Sequence, residues 1–563
     1  MVKFKEKELL LLLLLYLFHM ANICIWLKMD TTPLVWDPNR HLLYSLELFD
    51  TLRTAPLQLV KAVIENSGRY SFLVPLAVSP FFAIFGQSSD AGVFINSAIF
   101  LPVLLYGVYA LGKLLFNRKV GIFAAFIVSM YPIILDQLKT FQPDLPLAAI
   151  LTLAFYFLFK SEYFTDRKYS LLFGVCLGLA ALTKINFLGF IIMPLLYIFW
   201  IIIADKKPKY AKRHILAAMA VAAAASFIYY YYHFAWVMKI IKPDISFEPY
   251  AAALLEKSHF FIKFLTSLSW YIWGLIGYQL SFFFFSIFII GILLLYKTAK
   301  IKRDVYVILA LWIIAPLLLL CYFRPLYCDH CSSFRYSLPI LPAIALITSA
   351  GVLKIGNKII KQSLIAIIMF FAFVQFLALS YGMPQLPSQI KIPIIVPDAI
   401  KRPYLPDHII LFMQCIPAER PIGNFYHPAK TGWYEKADEI LEIINKDTKG
   451  SKAVIGVIPD QPELWGPLRL KAHIKKMPFI IVCDGPYGYN LYAKGFKDLK
   501  SAISEVSYVL DKEKGWMAEE YRLPSISETK NIFKDHADEF ELLDEVLLPD
   551  GSDIIIYRRR TVK

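Results

Sequence analysis

The chain has 563 residues, of which 58% are hydrophobic, 15% aromatic and only 18% charged, and its mean hydropathy is +0.54. A soluble enzyme of this length is not so apolar, which leaves a polytopic membrane protein. The net charge of +15 does not argue for nucleic acid, because Lys and Arg fall in short clusters between apolar runs, as they do in cytoplasmic loops.

The first element is "MVKFKEKELLLLLLLYLFHMANICIWL", a basic start followed by about 20 apolar residues, enough to cross roughly 30 Å of hydrocarbon. No small-x-small cleavage site closes it, so it reads as an uncleaved first span. Next comes "VWDPNRHLLY", residues 35–44, which puts Asp37, Arg40 and His41 on the lip of the bilayer. The amphipathic stretch "PNRHLLYSLELFDTL" follows with Pro at a first helical position, so Asp37 could equally be a capping acid or a solvated one. Arg69 and Tyr70 then precede "SFLVPLAVSPFFAIF", residues 71–85, which is short and carries Pro75 and Pro80. It is expected as an interfacial or re-entrant piece on the outer face.

Further apolar runs lie at about 91–115, 120–135, 145–160, 170–183, 185–204, 214–233, 268–296, 305–323, 335–353 and 362–381, giving eleven crossings with the first. The stretch 170–204 would be about 52 Å long as one helix, so it is split into a hairpin turning at Lys184, Ile185 and Asn186. With this count the clusters "GKLLFNRKVG", "KSEYFTDRK", "ADKKPKYAKRH", "KTAKIKRD" and "KIGNKIIKQ" share the side of the N-terminus. That side is the cytoplasm, and the C-terminus is then outside.

The sequence divides into a transmembrane region, 1–381, a proline-rich linker, 382–408, and an extracytoplasmic domain, 409–563. In the last, "AVIGVIP", "FIIVCD", "VSYVL" and "DIIIYRR" alternate with polar helical stretches, as in a small α/β domain of about five strands. No G-x-G-x-x-G or G-K-[ST] pattern opens its helices, so nothing argues for a nucleotide.

Ionisable groups at the ends of spans are costly and therefore informative. On the outer side they are Asp37, Arg40 and His41; Arg69; Asp136, Lys139 and Asp144 between the third and fourth spans; Lys184 at the hairpin tip; and Arg324 and Arg335 around the loop before the tenth span. Each has a bland reading: Asp144 could cap the apolar helix that follows, and Lys184 and Arg335 could snorkel to headgroups. The seven cysteines make no disulfide framework or zinc array. Cys328 and Cys331 form a lone C-x-x-C pair, better read as a local disulfide or two free thiols than as a zinc site. Together, two acids and several cations on one face meet the requirement for reacting a lipid-linked phosphate. An acid takes a proton from an incoming hydroxyl, while Arg and Lys hold the anion as it leaves.

The segments "WDPNRHL", "SPFFAIFG", "LLFNRKVGIFAAFIVSMYPIILDQLKTFQPDLPLAAILTLAFYFLF", "GVCLGLAALTK" and "RYSLPILPAIALI" resemble glycosyltransferases of the GT-C fold. Within these the chain is similar to the branch holding protein O-mannosyltransferases and the lipid A aminoarabinose transferase. The resemblance runs from about residue 5 to 355 and implies a polyprenyl-phosphate sugar donor, an inverting displacement, and a lipid, glycan or protein acceptor at the outer face. It puts Asp37 at the first-loop acid, as general base or acceptor-orienting group, and Asp144 at the acid ahead of the fourth span, as a second catalytic residue. Lys184, Arg335, Tyr336 and Arg69 would hold the donor phosphate; Arg40, His41, Lys139 and Tyr70 are candidates for acceptor or sugar. Two departures stand out: Pro38 replaces the Glu that many members carry after the first-loop acid, and the usual Pro-Pro pair is missing after Arg69. Asp37 and Asp144 could share a divalent ion, but no Asp-x-Asp pair or His cluster supports one, so no metal and no other cofactor is expected. The competing classes are a transporter or flippase, which would be expected to show internal repeats, and a non-catalytic lipid-binding scaffold.

Overall fold

A computed structural model describes residues 6–66, 71–204, 209–235, 238, 260–298, 303–323, 331–382, 391–393, 408–410, 429–458, 462–483, 503–512, 531 and 533–560. Arg69, Tyr70, Arg324 and Cys328 lie outside these residues, as does the side chain of Cys331. The chain forms two compact units. The first contains residues 1–25, 57–81 and 90–427; the second contains residues 26–56, 82–89 and 428–563.

The first unit is helical. Among the described residues seven helices are long and apolar enough to cross a bilayer: Lys7–Met29, Ser89–Leu115, Phe187–Ala204, Tyr210–Tyr232, Arg303–Tyr322, Phe334–Leu353 and Lys358–Tyr381. The first of these continues into the second unit. An eighth crossing results if Ser267–Gln279 and Ser281–Tyr296, which meet at a bend of 109°, form one span. Three other apolar runs are helical but shorter, at 12 residues for Arg118–Ser129 and 17 each for Asp144–Lys160 and Arg167–Thr183. Pro132 explains the first of these lengths, because it starts a new short helix, Pro132–Gln137, after an extended Tyr131. The long apolar stretch breaks at Lys184, whose backbone is extended, and the next helix begins at Phe187.

These helices approach closely where glycines face each other. A Cβ on Gly351 would stand 2.3 Å from the carbonyl oxygen of Gly291, and one on Gly112 would stand 2.7 Å from Cα of Gly121. In lipid, where no hydrophobic force pulls helices together, such backbone contact is a principal source of packing energy. Past the last span, β1 (Lys391–Pro393) pairs antiparallel with β2 (His408–Ile410), with Ile392 opposite Ile409.

The second unit is built on a five-stranded sheet. Its strands are β3 (Ala453–Ile458), β4 (Phe479–Cys483), β5 (Tyr508–Lys512), β6 (Phe540–Leu547) and β7 (Asp553–Arg559), in the order β4-β3-β5-β7-β6. β4, β3 and β5 are parallel, and β7 and β6 are antiparallel to their neighbours. β3 is buried at all six positions, as a central parallel strand covered on both faces must be. One face carries the helices Trp433–Thr448 and Pro462–Ile474 over a core of Ile440, Leu441, Trp465, Leu468 and Ile556. Val454, Ile480, Val509 and Phe533 pack on the other face.

Residues 26–56, which start in the last turn of the first span, also belong to this unit. Asp30 Oδ1 accepts from the amide of Ala429 at 3.0 Å, and the hydroxyl of Thr431 donates to the carbonyl of Thr31 at 3.0 Å. The helix Trp36–Thr54 follows and is buried all round from Asn39 to Leu46, with Leu42, Tyr44 and Leu46 fully enclosed. Gly466 lies against its start, where a Cβ would stand 3.2 Å from the Asn39 amide nitrogen and from the Leu34 carbonyl. At its far end Asp50 meets Nε2 of His473 at 3.0 Å and accepts from Gln87 at 2.7 Å.

Candidate active site

Three segments of the first unit bring charged groups to one place. Asp144 is the first residue of the helix Asp144–Lys160, where Pro143 supplies no N–H and the helix dipole favours an acid. Lys184 ends the helix Arg167–Thr183, its amide bonded to the carbonyl of Ala180, so that its cation sits at the negative end of that helix. Arg335 and Tyr336 lie in the tight helical segment Cys331–Ile340 that precedes Pro342 and the helix Leu341–Leu353.

Lys184 Nζ lies 2.6 Å from Asp144 Oδ1, and Arg335 Nε lies 3.3 Å from Asp144 Oδ2. The ring of Tyr336 lies beside both cations, with its centroid 4.6 Å from Lys184 Nζ and 5.3 Å from Arg335 Cζ. The order of exposure decides what this cluster presents. Asp144 is fully buried, whereas the side chains of Lys184 and Arg335 remain 20% and 11% accessible. One carboxylate therefore stands behind two cations, and the accessible side carries net positive charge. A ring face flanking both cations adds attraction for them that is independent of the carboxylate. Chemically, a planar fork and an ammonium, both largely buried and oriented by a hidden counter-charge, are groups that suit an anion.

Asp136 stands in the short helix Pro132–Gln137, and Lys139 stands in the buried turn after it that leads to Asp144. Asp136 accepts from Gln137 Nε2 at 3.0 Å. Lys139 Nζ donates to the carbonyl of Leu379 at 3.1 Å, in the last turn of the helix Lys358–Tyr381, which Gly382 closes in the left-handed conformation. Lys139 thus caps a helix C-terminus. Sequence reading passed over Asn96 and Gln279, two fully buried amides in apolar runs that hold the segments just described. The available signal was a lone amide inside an otherwise apolar span.

In the second unit, Asp37 stands in the first turn of the helix Trp36–Thr54 and faces Arg40 Nη1 at 3.9 Å. Arg40 and His41 are buried, while the side chain of Asp37 keeps 27% of its surface accessible. Pro38 fits this turn because the first helical N–H groups have no intrahelical acceptor. Among the described residues no cluster of three or more His, Cys, Asp or Glu could hold a metal ion.

Residues 70–232, which include Asp144 and Lys184, match the family described as dolichyl-phosphate-mannose-protein mannosyltransferase. The whole chain is similar in structure to ArnT from Cupriavidus metallidurans bound to undecaprenyl phosphate, with a TM-score of 0.58 and 10% identity over 96% of this chain and 97% of that one. It is also similar to the archaeal oligosaccharyltransferase AglB from Archaeoglobus fulgidus in complex with an inhibitory peptide and a dolichol-phosphate, with a TM-score of 0.52 and 14% identity over 90% of this chain and 69% of that one. No curated protein matches the sequence. The protein is a multi-span membrane protein with the fold of the GT-C glycosyltransferases. It shares that fold with ArnT and AglB, and its residues 70–232 are similar to the mannosyltransferase family.

Proposed function

We propose that the protein is an inverting glycosyltransferase that moves a sugar from a polyprenyl phosphate to an acceptor on the extracytoplasmic face of the membrane. The observation that carries this reading is the cluster of Lys184, Arg335 and Tyr336 around the hidden carboxylate of Asp144, with the two cations on its accessible side. A polyprenyl phosphate ester ends in the anion such a site suits, and the matched family and the lipid phosphates bound by ArnT and AglB support that ligand class.

In this mechanism the acceptor oxygen, nitrogen in the case of an amine, attacks the anomeric carbon. The bond from that carbon to the phosphate oxygen breaks, and the electron pair leaves with the polyprenyl phosphate. Arg335 and Lys184 stabilise the second negative charge that develops there. Asp37 takes the acceptor's proton. One base and one displacement give inversion, since retention needs a nucleophile close to the anomeric carbon. Asp144 serves in this reading to order the cations, because each of its oxygens already faces one. Arg69 and Tyr336 complete the phosphate site, and Arg40, His41, Lys139 and Tyr70 are assigned to sugar or acceptor. The sugar is a hexose or a pentose, the acceptor a lipid, glycan or protein, and no metal takes part. The N-terminus is cytoplasmic, and the C-terminal α/β domain stands outside and orients the acceptor.

Membranes containing the full chain, given a panel of radiolabelled polyprenyl-phosphate hexoses and pentoses, test the reading. Transfer to endogenous acceptors with release of polyprenyl phosphate is expected, falling at least a hundredfold in Asp37→Asn. Lipid binding without turnover for every donor would instead make the protein a binding scaffold and refute the proposal.

A further inference from the structure

Two helices of the first unit each contain one turn of wider winding, in which an amide donates five residues back rather than four. The amide of Leu101 bonds to the carbonyl of Asn96 in the turn Asn96–Phe100, and the amide of Leu280 bonds to the carbonyl of Leu275 in the turn Leu275–Gln279. Such turns insert a residue into the helix and recur where a side chain has to be re-aimed. Here each presents one fully buried amide side chain, Asn96 and Gln279.

The NH2 group of Asn96 donates to the carbonyls of Gln137, at 2.9 Å, and Thr140, at 2.8 Å, bridging the loop that delivers Asp144. The NH2 group of Gln279 donates to the carbonyl of Phe334, at 2.8 Å, and to Ser337 Oγ, at 2.6 Å, bracketing Arg335 and Tyr336. The backbone around Gln279 is adapted to the same purpose. A Cβ on Gly274 would stand 2.1 Å from the Phe334 ring, which packs at 5.0 Å, centroid to centroid, from Tyr278. Backbone carbonyls can only accept, so both amides are fixed with their nitrogens toward these segments. Two unrelated helices thus solve one problem alike.

We propose that Asn96 and Gln279 are positioning residues of the phosphate site: they fix the two segments whose side chains, Asp144 and Arg335, meet at 3.3 Å. The inference rests on the reading of that cluster as the donor phosphate site. Gln279 acts through Arg335, and Asn96 acts through Asp144.

The test is a pair of double-mutant cycles on the purified full chain in detergent, with undecaprenyl phosphate as the titrated probe. Gln279→Ala is expected to raise the Kd about tenfold in the otherwise unaltered protein and to leave it unchanged once Arg335→Ala is present. Asn96→Ala is expected to raise the Kd by a similar factor in the otherwise unaltered protein and to add nothing once Asp144→Asn is present. Ser337→Ala, which removes only one acceptor, provides a milder variant and should give a smaller increase that Arg335→Ala also abolishes. Losses that add in both cycles, or no loss from Gln279→Ala and Asn96→Ala in the unaltered background, overturn the positioning role while leaving the phosphate site standing. Failure of the unaltered protein to bind undecaprenyl phosphate overturns both.

Discussion

Asp144 is the residue on which the first unit's charge balance turns. It is fully buried between two cations, and removing one partner of a buried ion pair leaves an uncompensated charge that costs about 3–5 kcal/mol. Asp144→Ala should therefore lower stability by about that amount, read as thermal unfolding of the purified protein. A surface acid such as Glu65, paired with Lys61 at 3.9 Å and largely exposed, should give no measurable change when replaced by Ala. The second unit offers a pH test. Partial burial of Asp438 raises its pKa, but the ammonium groups of Lys471 at 2.6 Å and Lys475 at 2.8 Å outweigh burial and hold the carboxyl below its ordinary value of 3.8. A depressed pKa adds stability above the unfolded value, and that stability disappears as the pH falls through the folded one. Asp438→Asn should unfold at lower temperature than the unaltered chain at pH 7, with the difference closing as the pH falls below about 3.8. A difference that stayed constant down to pH 2 would contradict the ion-pair account.

At the scale of elements, the close helix crossings are the most exposed to mutation. Gly351→Ala forces a methyl to within 2.3 Å of the Gly291 carbonyl, and overpacking of this kind costs about 1–3 kcal/mol. The unfolding temperature should drop accordingly, whereas Gly356→Ala, where a Cβ meets nothing within 4 Å, should leave it unchanged. Much of this level was legible in the sequence because lipid imposes long apolar runs, and the break at Lys184 followed from length alone. Asp144, Lys184 and Arg335 stood out because ionisable groups at span ends are sparse, Tyr336 followed from the family resemblance, and the four do lie together. The wide turns at Asn96 and Leu275 were not legible, since nothing in a local pattern distinguishes a helix wound five residues back from one wound four. Strand β6 was hidden for a different reason. Its sequence, "FELLDEVL", carries three acids on a half-exposed edge and an irregularity in pairing between Leu542 and Asp544, which breaks the alternation that marks a strand.

For the molecule as a whole, residues 26–56 pack with the C-terminal sheet, although some 370 residues separate them from Pro428 in sequence. Composition gives no sign of such a long-range association; hydrogen bonds such as that from Ala429 to Asp30 record it. The orientation proposed for the chain predicts that a single cysteine at Lys449, in a background with the native cysteines replaced by Ser, reacts with a membrane-impermeant maleimide on intact cells. A cysteine at Arg118 should react only after the membrane is opened, and the opposite pattern would invert the topology. The central claim is that Lys184 and Arg335, backed by Asp144, hold the phosphate of a polyprenyl donor. Titration of the purified full chain with undecaprenyl phosphate tests it most directly. Loss of one charge-assisted bond to phosphate costs about 1.5–3 kcal/mol, so Lys184→Ala and Arg335→Ala should each raise the Kd by roughly ten- to a hundredfold. Affinity that is unchanged in both variants would contradict the account.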